Sequence, residues 1–391
     1  MTRVAVIVKT SEGARWIVPQ IKSLLLRGGE VVAVIPSGPG RLATELDRLA
    51  ADERRFEVIR TPFDFRFAPH IRTLRGLLHL RRALRRVDAD AALYHLYASA
   101  LASRFALSGT RTRRVHMVAG PLYLESPVIR TVERLAARWD DVLIAGSDYT
   151  ARRYAALGVA SDRIYSIPYG VDVERFAPGE PSGAAPPPGV VQRGAFRVVM
   201  VAYVYAPKRL AHAGRGIKGH DVMLEAWSRF SRRHGEAELH FVGGGFDAAG
   251  ERYRRRVISE FESVILDRGI TWSESLDEIR TAYAHADLSV SPSLSENHGA
   301  ALEASAMAVP SIVSDAGGLP ETVLPDTGWI VRAGSVDDLD SALESAYHEW
   351  RSGALADRGR RARMYMTRRF DGRAAADRVA DVVLDSGGVR R

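Results

Sequence analysis

Short apolar runs alternate with amphipathic segments along this chain of 391 residues. Residues 4–8 and 31–35 are apolar and β-branched, which predicts buried strands, and a helix is predicted between them over about 16–27. Residues 196–202 and 239–242 predict further buried strands in the second half. A strand, a helix and a second strand in this order form the βαβ unit of a parallel sheet. The pattern therefore predicts an α/β fold with doubly wound sheets.

Residues 288–321 form the most informative stretch of the chain. The pattern predicts a short buried strand, a polar turn over 296–299, a helix over 300–308 and then a second strand. Such a turn presents backbone N–H groups at a helix N-terminus, which suits a phosphate. Glu303 lies about one turn into the helix, at the depth that reaches a ribose hydroxyl. Glu296 lies on the turn, where its carboxylate can accept hydrogen bonds from sugar hydroxyls.

These residues resemble the donor-site signature of the family-4 retaining glycosyltransferases, which have the GT-B fold. That signature has two glutamates on a strand–turn–helix, then small residues, a proline, a strand and a G-G-x-P-E turn, which is 317–321 here. Glu296 and Glu303 are separated by six residues instead of the family's seven. The resemblance implies two Rossmann-like domains facing a central cleft. It also implies sugar transfer from a nucleotide-diphosphate sugar to an acceptor hydroxyl, with retention of anomeric configuration.

The resemblance also implies how the donor phosphates are held. Lys218 stands in a K-G pair at the head of a predicted helix and would bind the diphosphate. Arg209 or Arg215 would supply a second positive charge. Gly13, in the first turn of the chain, would face the donor phosphate across the cleft. No metal ion or other cofactor is expected, because these groups would stabilise the leaving diphosphate.

A histidine of the family often points at the reacting sugar, and its position here is occupied by Ala119. His116, three residues earlier, is the substitute candidate. The predicted catalytic residues are therefore Glu296, His116 and Lys218. The predicted donor-binding residues are Gly13, Arg209, Arg215, Lys218, Asn297, His298, Gly299, Ala300 and Glu303.

A stretch rich in Pro, Gly, Ala and Ser, residues 179–195, predicts a semi-rigid linker. It would separate an N-terminal acceptor-side domain, 1–178, from a C-terminal donor domain, 196–372. The last segment, about 373–391, resembles the C-terminal helix that crosses back onto the first domain in this family.

The composition of the chain excludes several kinds of functional site. The chain has no cysteine, so disulfides, thiolate nucleophiles and cysteine-based zinc sites are excluded. No apolar run reaches the roughly 18–20 residues of a membrane-spanning helix. The net charge of +8 suits phosphate-bearing ligands, and no basic–aromatic motif indicates nucleic acid. We expect a cytoplasmic protein that acts on a small-molecule or lipid-linked acceptor.

Residues 65–87 contain seven arginines and leucines at helical spacing, which predicts a basic amphipathic helix. One interpretation packs Leu74, Leu77, Leu78 and Leu84 on the sheet and leaves the arginines in solvent. The other places the helix on an anionic membrane, at the inner face of the membrane.

Two further motifs are weaker indications of function. Residues 38–43 match the G-x-G-x-x-A pattern of dinucleotide sites, but they follow the second strand rather than the first. Asp88 and Asp90 form a D-x-D motif, which stands before an apolar run and is more typical of a strand start than of a metal site.

Two other functions fit the same patterns. An epimerase of this fold would convert a nucleotide sugar without an acceptor. A non-catalytic protein would bind the nucleotide sugar and release nothing. Nucleotide release measured with and without an acceptor separates both from a transferase.

Overall fold

The computed structural model describes residues 1–14, 16–67, 70–120, 122–179, 194–207 and 214–385, which form two compact units. The first unit is Met1–Gly170 together with Gly372–Arg391, and the second is Val171–Asp371. The chain passes from one unit to the other at Gly170, a few residues before the predicted end of the first domain. Most of the predicted linker, 180–193, lies outside the described residues.

The first unit is a parallel sheet with helices on both faces. Its described residues contribute seven strands in the order β3-β2-β1-β4-β5-β6-β7. The strands are β1 Arg3–Ile7, β2 Glu30–Pro36, β3 Phe56–Thr61, β4 Ala91–His95, β5 Arg113–Val118, β6 Val142–Ala145 and β7 Ile164–Ser166. The helices between them are α1 Ile17–Leu26, α2 Arg41–Asp52, α3 Ile71–Val87, α4 Tyr97–Ala106, α5 Pro127–Ala136 and α6 Asp148–Ala156.

The second unit repeats this plan. Six strands of its described part pair in the order β10-β9-β8-β11-β12-β13, all parallel. They are β8 Phe196–Val201, β9 Ala237–Val242, β10 Ile270–Ser273, β11 Leu288–Ser291, β12 Ser311–Ser314 and β13 Gly328–Val331. The helices are α7 His220–Arg233, α8 Ala248–Glu260, α9 Glu262–Asp267, α10 Arg280–Ala284, α11 Ala301–Ala306, α12 Val336–Ser352 and α13 Ala354–Arg369.

Both strand orders reverse direction next to their first strand, which is the doubly wound arrangement. The predicted α/β class is therefore confirmed. The order in the second unit places a switch point between β8 and β11, and ligands of open α/β sheets bind outside the carboxyl ends of the strands there.

The last helix, α14 Gly372–Leu384, belongs to the first unit and packs on α1. Arg27 joins the two helices through ion pairs to Asp377 (2.8 Å) and Asp381 (2.6 Å). No helix in the described part of the chain has both the length and the apolar character needed to cross a membrane.

Alternate residues of the first sheet face two different helix layers, because strand side chains point to opposite faces in turn. Val4 and Val6 pack with α1, α2 and α14, whereas Ala5 and Ile7 pack with α3 and α4. We call these the α1 layer and the α3 layer. Tyr94 belongs to the α3 layer, and its registered neighbour His116 faces the same way.

Candidate active site

The turn after β11 carries Glu296, and the backbone of Gly317 and Gly318 packs against this turn. Gly317 has a φ of +62°, and a Cβ atom there would overlap the carbonyl oxygen of Glu296. Gly318 N donates a hydrogen bond to that oxygen at 3.3 Å. The G-G sequence is thus explained by the close approach of two backbones.

A second close approach brings Lys218 to the same turn. Gly219 has a φ of +74°, and a Cβ atom there would overlap the Pro292 carbonyl. Leu294 N donates to the Ile217 carbonyl at 2.7 Å, which holds the two segments together. As a result, the Lys218 ammonium forms an ion pair with the Glu296 carboxylate, and each side chain is 18% exposed.

Glu303 lies in the first turn of α11, where the sequence placed it. Its Oε2 accepts a hydrogen bond from the Tyr283 hydroxyl at 3.1 Å. Burial raises the pKa of the Glu303 carboxyl above its ordinary value, and the Tyr283 hydroxyl and the charge of Arg175 act against that rise. A partly dehydrated carboxylate of this kind gains from further donors, such as the two hydroxyls of a ribose.

Lys218 and Glu303 line one cavity of about 340 Å³. The cavity lies at the carboxyl ends of β8, β9 and β10, at the switch-point edge of the second sheet. This volume is at the lower end of the range of small-molecule sites. Tyr203, Tyr205, Gly243 and Leu276 are among the other lining residues.

The neighbours of Glu296 support the turn in different ways. Asn297 N donates to the Glu296 carboxylate at 3.0 Å, and the Ala300 carbonyl accepts from the Tyr283 hydroxyl at 3.5 Å. His298 is buried, with its Nε2 3.6 Å from Glu321 and its ring against Phe370. Gly299 is exposed and has a φ of +52°.

Arg215 lies with two carboxylates on the next helix. Its guanidinium pairs with Asp221 at 2.7 Å and with Glu225 at 3.2 Å. These contacts offset its charge, so Arg215 is a weaker candidate for the second phosphate ligand than its position in the sequence indicates. Arg209 lies outside the described residues.

The structure places His116 in the interior of the first unit. Its ring is 0% exposed, and its Nδ1 is 3.5 Å from Asp140 and 3.3 Å from Arg104. A side chain without accessible surface in this arrangement contacts protein groups rather than a sugar. The predicted catalytic use of His116 therefore has no support in this geometry.

Gly13 lies exposed in the turn between β1 and α1, and no atom lies within 4 Å of a Cβ built there. Its contact with the donor stays a prediction. The G-x-G-x-x-A motif differs from a dinucleotide site, because Glu12 occupies the helix start. Its carboxylate accepts from Arg41 N at 3.0 Å, and its carbonyl accepts from Leu42 N at 3.3 Å.

Sequence reasoning missed the tyrosines of the cavity. Tyr203 and Tyr205 follow β8, and their position after a strand at the carboxyl edge was the available signal. Tyr283 lies on α10, a helix of five residues, and no sequence pattern indicates its contact with Glu303.

Two family models match the chain. "Glycosyltransferase Family 4" matches residues 14–175, and "Glycosyl transferases group 1" matches residues 207–349. Together they cover most of both units.

Curated relatives are 30–32% identical to this chain over the aligned segments. The GDP-mannose-dependent alpha-(1-6)-phosphatidylinositol monomannoside mannosyltransferase of Mycolicibacterium smegmatis is 30% identical over 226 residues, 56% of each chain. Its counterpart from Mycobacterium tuberculosis H37Rv is 32% identical over 245 residues, 60% of each. The D-inositol 3-phosphate glycosyltransferase of Xylanimonas cellulosilytica is 32% identical over 258 residues, 62% of this chain and 56% of that protein. The chain thus spans little more than half the length of the curated relatives it matches.

Solved structures extend the similarity of the fold to the whole chain. A glycosyltransferase from Rickettsia africae superimposes with a TM-score of 0.76 at 16% identity, over 99% of both chains. Anabaena HepE in complex with UDP and glucose gives 0.77 at 14% identity, over 98% of this chain and 100% of that one. With two Rossmann-like units and both family models matched in order, the chain belongs to the family-4 glycosyltransferases of the GT-B fold.

Proposed function

We propose that this protein transfers a sugar from a nucleoside-diphosphate sugar to an acceptor hydroxyl. The observation that carries the proposal is the cavity that brings Lys218 and Glu303 together at the switch-point edge of the second sheet. This cavity offers a positive charge from Lys218 and a carboxylate from Glu303. A nucleoside diphosphate offers the complementary pair, a diphosphate and a ribose diol.

Each residue then has a chemical task. Glu303 accepts hydrogen bonds from the ribose hydroxyls, and Tyr283 orients its carboxylate. Lys218 exchanges its ion pair with Glu296 for one with the more highly charged diphosphate. Glu296, released from Lys218, accepts hydrogen bonds from the donor sugar together with the backbone of 297–300.

The bond that breaks joins the anomeric carbon to the donor phosphate oxygen, and the bond that forms joins that carbon to the acceptor oxygen. Negative charge builds up on the leaving diphosphate, where Lys218 stabilises it. The acceptor proton leaves on the diphosphate, and the sugar keeps its anomeric configuration. Since Lys218 supplies the positive charge, transfer proceeds without a divalent metal.

The relatives indicate which substrates to test first. Several use GDP-mannose by name, and their acceptors contain inositol. We therefore place GDP-mannose first among the donors and an inositol phosphate or phosphatidylinositol mannoside first among the acceptors.

The test measures GDP release and product formation from GDP-mannose, with and without acceptor and with excess chelator present. UDP-glucose serves as the second donor. Acceptor-dependent release and a retained anomeric centre in the product NMR spectrum are expected. Lys22→Ala, an exposed lysine on α1, is the control for Lys218→Ala.

Three results would overturn parts of the proposal. An epimerised sugar formed without acceptor indicates the epimerase. Donor binding in calorimetry without any turnover indicates a non-catalytic binder. Activity restored only by added metal, or an inverted product, defeats the metal-free retaining mechanism.

A further inference from the structure

Helix α5 exposes a stripe of large apolar side chains. Val128 is 73% exposed, Val132 44% and Leu135 56%, and Trp139 in the following turn is 56% exposed. These positions are spaced by four, three and four residues, so they share one side of the helix. A stripe of this length on a water-facing helix calls for a partner.

The charges beside the stripe have one sign. Arg130, Arg134 and Arg138 are exposed in the described segment 127–139. The only acidic residue of that segment is Glu133, which is 0% exposed and paired with Arg104 at 2.7 Å. The outer side of α5 therefore combines apolar side chains with arginines alone.

The neighbouring helices of the α3 layer continue this surface. Arg81 of α3 donates to the Phe105 carbonyl at the end of α4, and Arg104 of α4 joins α5 through Glu133. Because the three helices cover the same face of the sheet, their outer sides point the same way. Of the leucines that the sequence offered for packing, Leu84 is buried, but Leu74 is 49% and Leu78 37% exposed.

Helix α3 adds charge of the same sign. It contains no acidic residue, and its exposed arginines are Arg72, Arg75, Arg82, Arg85 and Arg86. Two large apolar side chains are exposed beside these arginines: Ile71 at the start of α3, at 53%, and Phe105 at the end of α4, at 41%.

The opposite layer of the same unit has no such bias. There Arg27 pairs with Asp377 and Asp381, and exposed Arg41, Arg48 and Arg378 alternate with acidic residues such as Asp47 and Asp52. The one-sided distribution in the α3 layer gives the unit a distinct positive, apolar face.

We propose that the outer face of α3, α4 and α5 docks on an anionic lipid bilayer. Val128, Val132, Leu135 and Trp139 enter the interface between headgroups and acyl chains, and the arginines contact lipid phosphates. A second copy of the chain fits this face poorly, since a symmetric contact would set arginines against arginines. The inference is independent of the proposed transfer reaction.

Vesicle co-sedimentation with the full chain tests the proposal. The vesicles are phosphatidylcholine with and without phosphatidylglycerol. We expect binding to the anionic vesicles only, weakened by salt. The triple variant Arg130→Glu, Arg134→Glu, Arg138→Glu should bind at least about a hundredfold more weakly, since each basic residue near the surface contributes roughly fivefold.

The matched control reverses the same number of charges on the α1 layer, with Arg41→Glu, Arg48→Glu and Arg378→Glu. Its affinity should stay within about threefold of that of the parent, because those residues face away from the lipid. A second variant, Arg130→Lys, Arg134→Lys, Arg138→Lys, keeps the charge and should keep the binding. Circular dichroism melts verify folding of all three.

Trp139 supplies an independent readout. Its fluorescence should shift to the blue when anionic vesicles are added, and Trp139→Phe should remove most of that shift. Four results would overturn the proposal: no binding by the parent, equal binding to neutral vesicles, an equal loss in the α1-layer control, or self-association that the α5 triple variant abolishes.

Discussion

A group of paired charged side chains in the first unit and another in the second differ in their access to water. In the first unit Arg104, Glu133, Asp140 and His116 are all at most 2% exposed. In the second, Lys218 and Glu296 are each 18% exposed and Lys218 lines a cavity.

The charged side chains of the buried group pair with one another inside the protein. Arg104 reaches Glu133 at 2.7 Å and Asp140 at 2.5 Å, and Tyr154 donates to Glu133 at 2.8 Å. Desolvation raises the pKa of Asp140, but hydrogen bonds from His116 and Arg104 outweigh it and hold that pKa at about 2. These ion pairs join α4 and α5 to the sheet, and the buried side chains leave no accessible surface for a ligand.

The second group is satisfied only in part. Among the described residues, the Tyr283 hydroxyl donates to Glu303, whose pKa is raised, and the Glu296 carboxylate pairs with Lys218. Both side chains face open volume, so a ligand can add to or replace their partners. Access to solvent and incomplete pairing, rather than residue type, therefore distinguish the candidate site of the second unit from the buried charge network of the first.

Arg104→Met should produce the largest effect. It leaves Glu133 and Asp140 buried without their cation, so unfolding in urea should become easier by about 3–5 kcal/mol. Arg138→Met, at an exposed position in the turn after α5, should change stability by less than about 0.5 kcal/mol. Equal stabilities of the two variants would contradict the anchoring role of the buried group.

Lys218→Ala should lower the transfer rate by about 10²–10³-fold, the scale found when one donor to a developing oxyanion is removed. Stability should change little, since the lost ion pair is partly exposed. The assay is nucleotide release under saturating acceptor, with Lys22→Ala as control. Near-normal turnover of a folded Lys218→Ala protein would place the phosphate site elsewhere.

Glu303→Gln should weaken nucleotide binding by about 1.5–3 kcal/mol, the scale of a hydrogen bond to a charged group. Calorimetry with GDP and UDP measures the loss, and Glu262→Gln on the surface of α9 is the control. Unchanged affinity would remove Glu303 from the ribose site.

The smallest effect concerns pH. The folded-state pKa of Glu303 is raised above its ordinary value of 4.5, so the folded protein holds this proton more tightly than the unfolded chain. The free energy of unfolding should therefore fall as pH rises from 4.5 toward the folded pKa. Glu303→Gln lacks this decline, so its stability relative to the parent should grow across that window. Parallel melting curves for the two proteins would contradict the raised pKa.

Local sequence patterns predicted much of the fold. Apolar runs predicted the core strands of both sheets, and the turn–helix with Glu303 was placed correctly. The glycine pair at 317–318 also had a sequence signal in the G-G-x-P-E turn, although the backbone that it approaches is that of Glu296, which is distant along the chain. Family resemblance pointed to Lys218 through the K-G pair, and Gly219 turned out to provide the close contact with Pro292.

Tertiary structure alone decided which of the candidate side chains line the cavity and which are enclosed by protein. His116 is a candidate in the sequence because it lies close to the position of the family's histidine, but Arg104 and Asp140 enclose it in the folded protein. The sequence predicts that Arg215 binds a phosphate, but in the structure it pairs with Asp221 of α7. The sequence offers Leu74 for packing on the sheet, but in the structure it is exposed on α3.

The physical reason is the distance along the chain over which each kind of interaction acts. Periodicity and backbone conformation act over a few neighbouring residues, so the sequence by itself determined the strands and the helix that carries Glu303. Burial and charge pairing depend on groups that only the folded sheets bring within a few ångströms. The structure therefore decided that the Lys218 and Glu303 cavity is open and that the His116 network is closed.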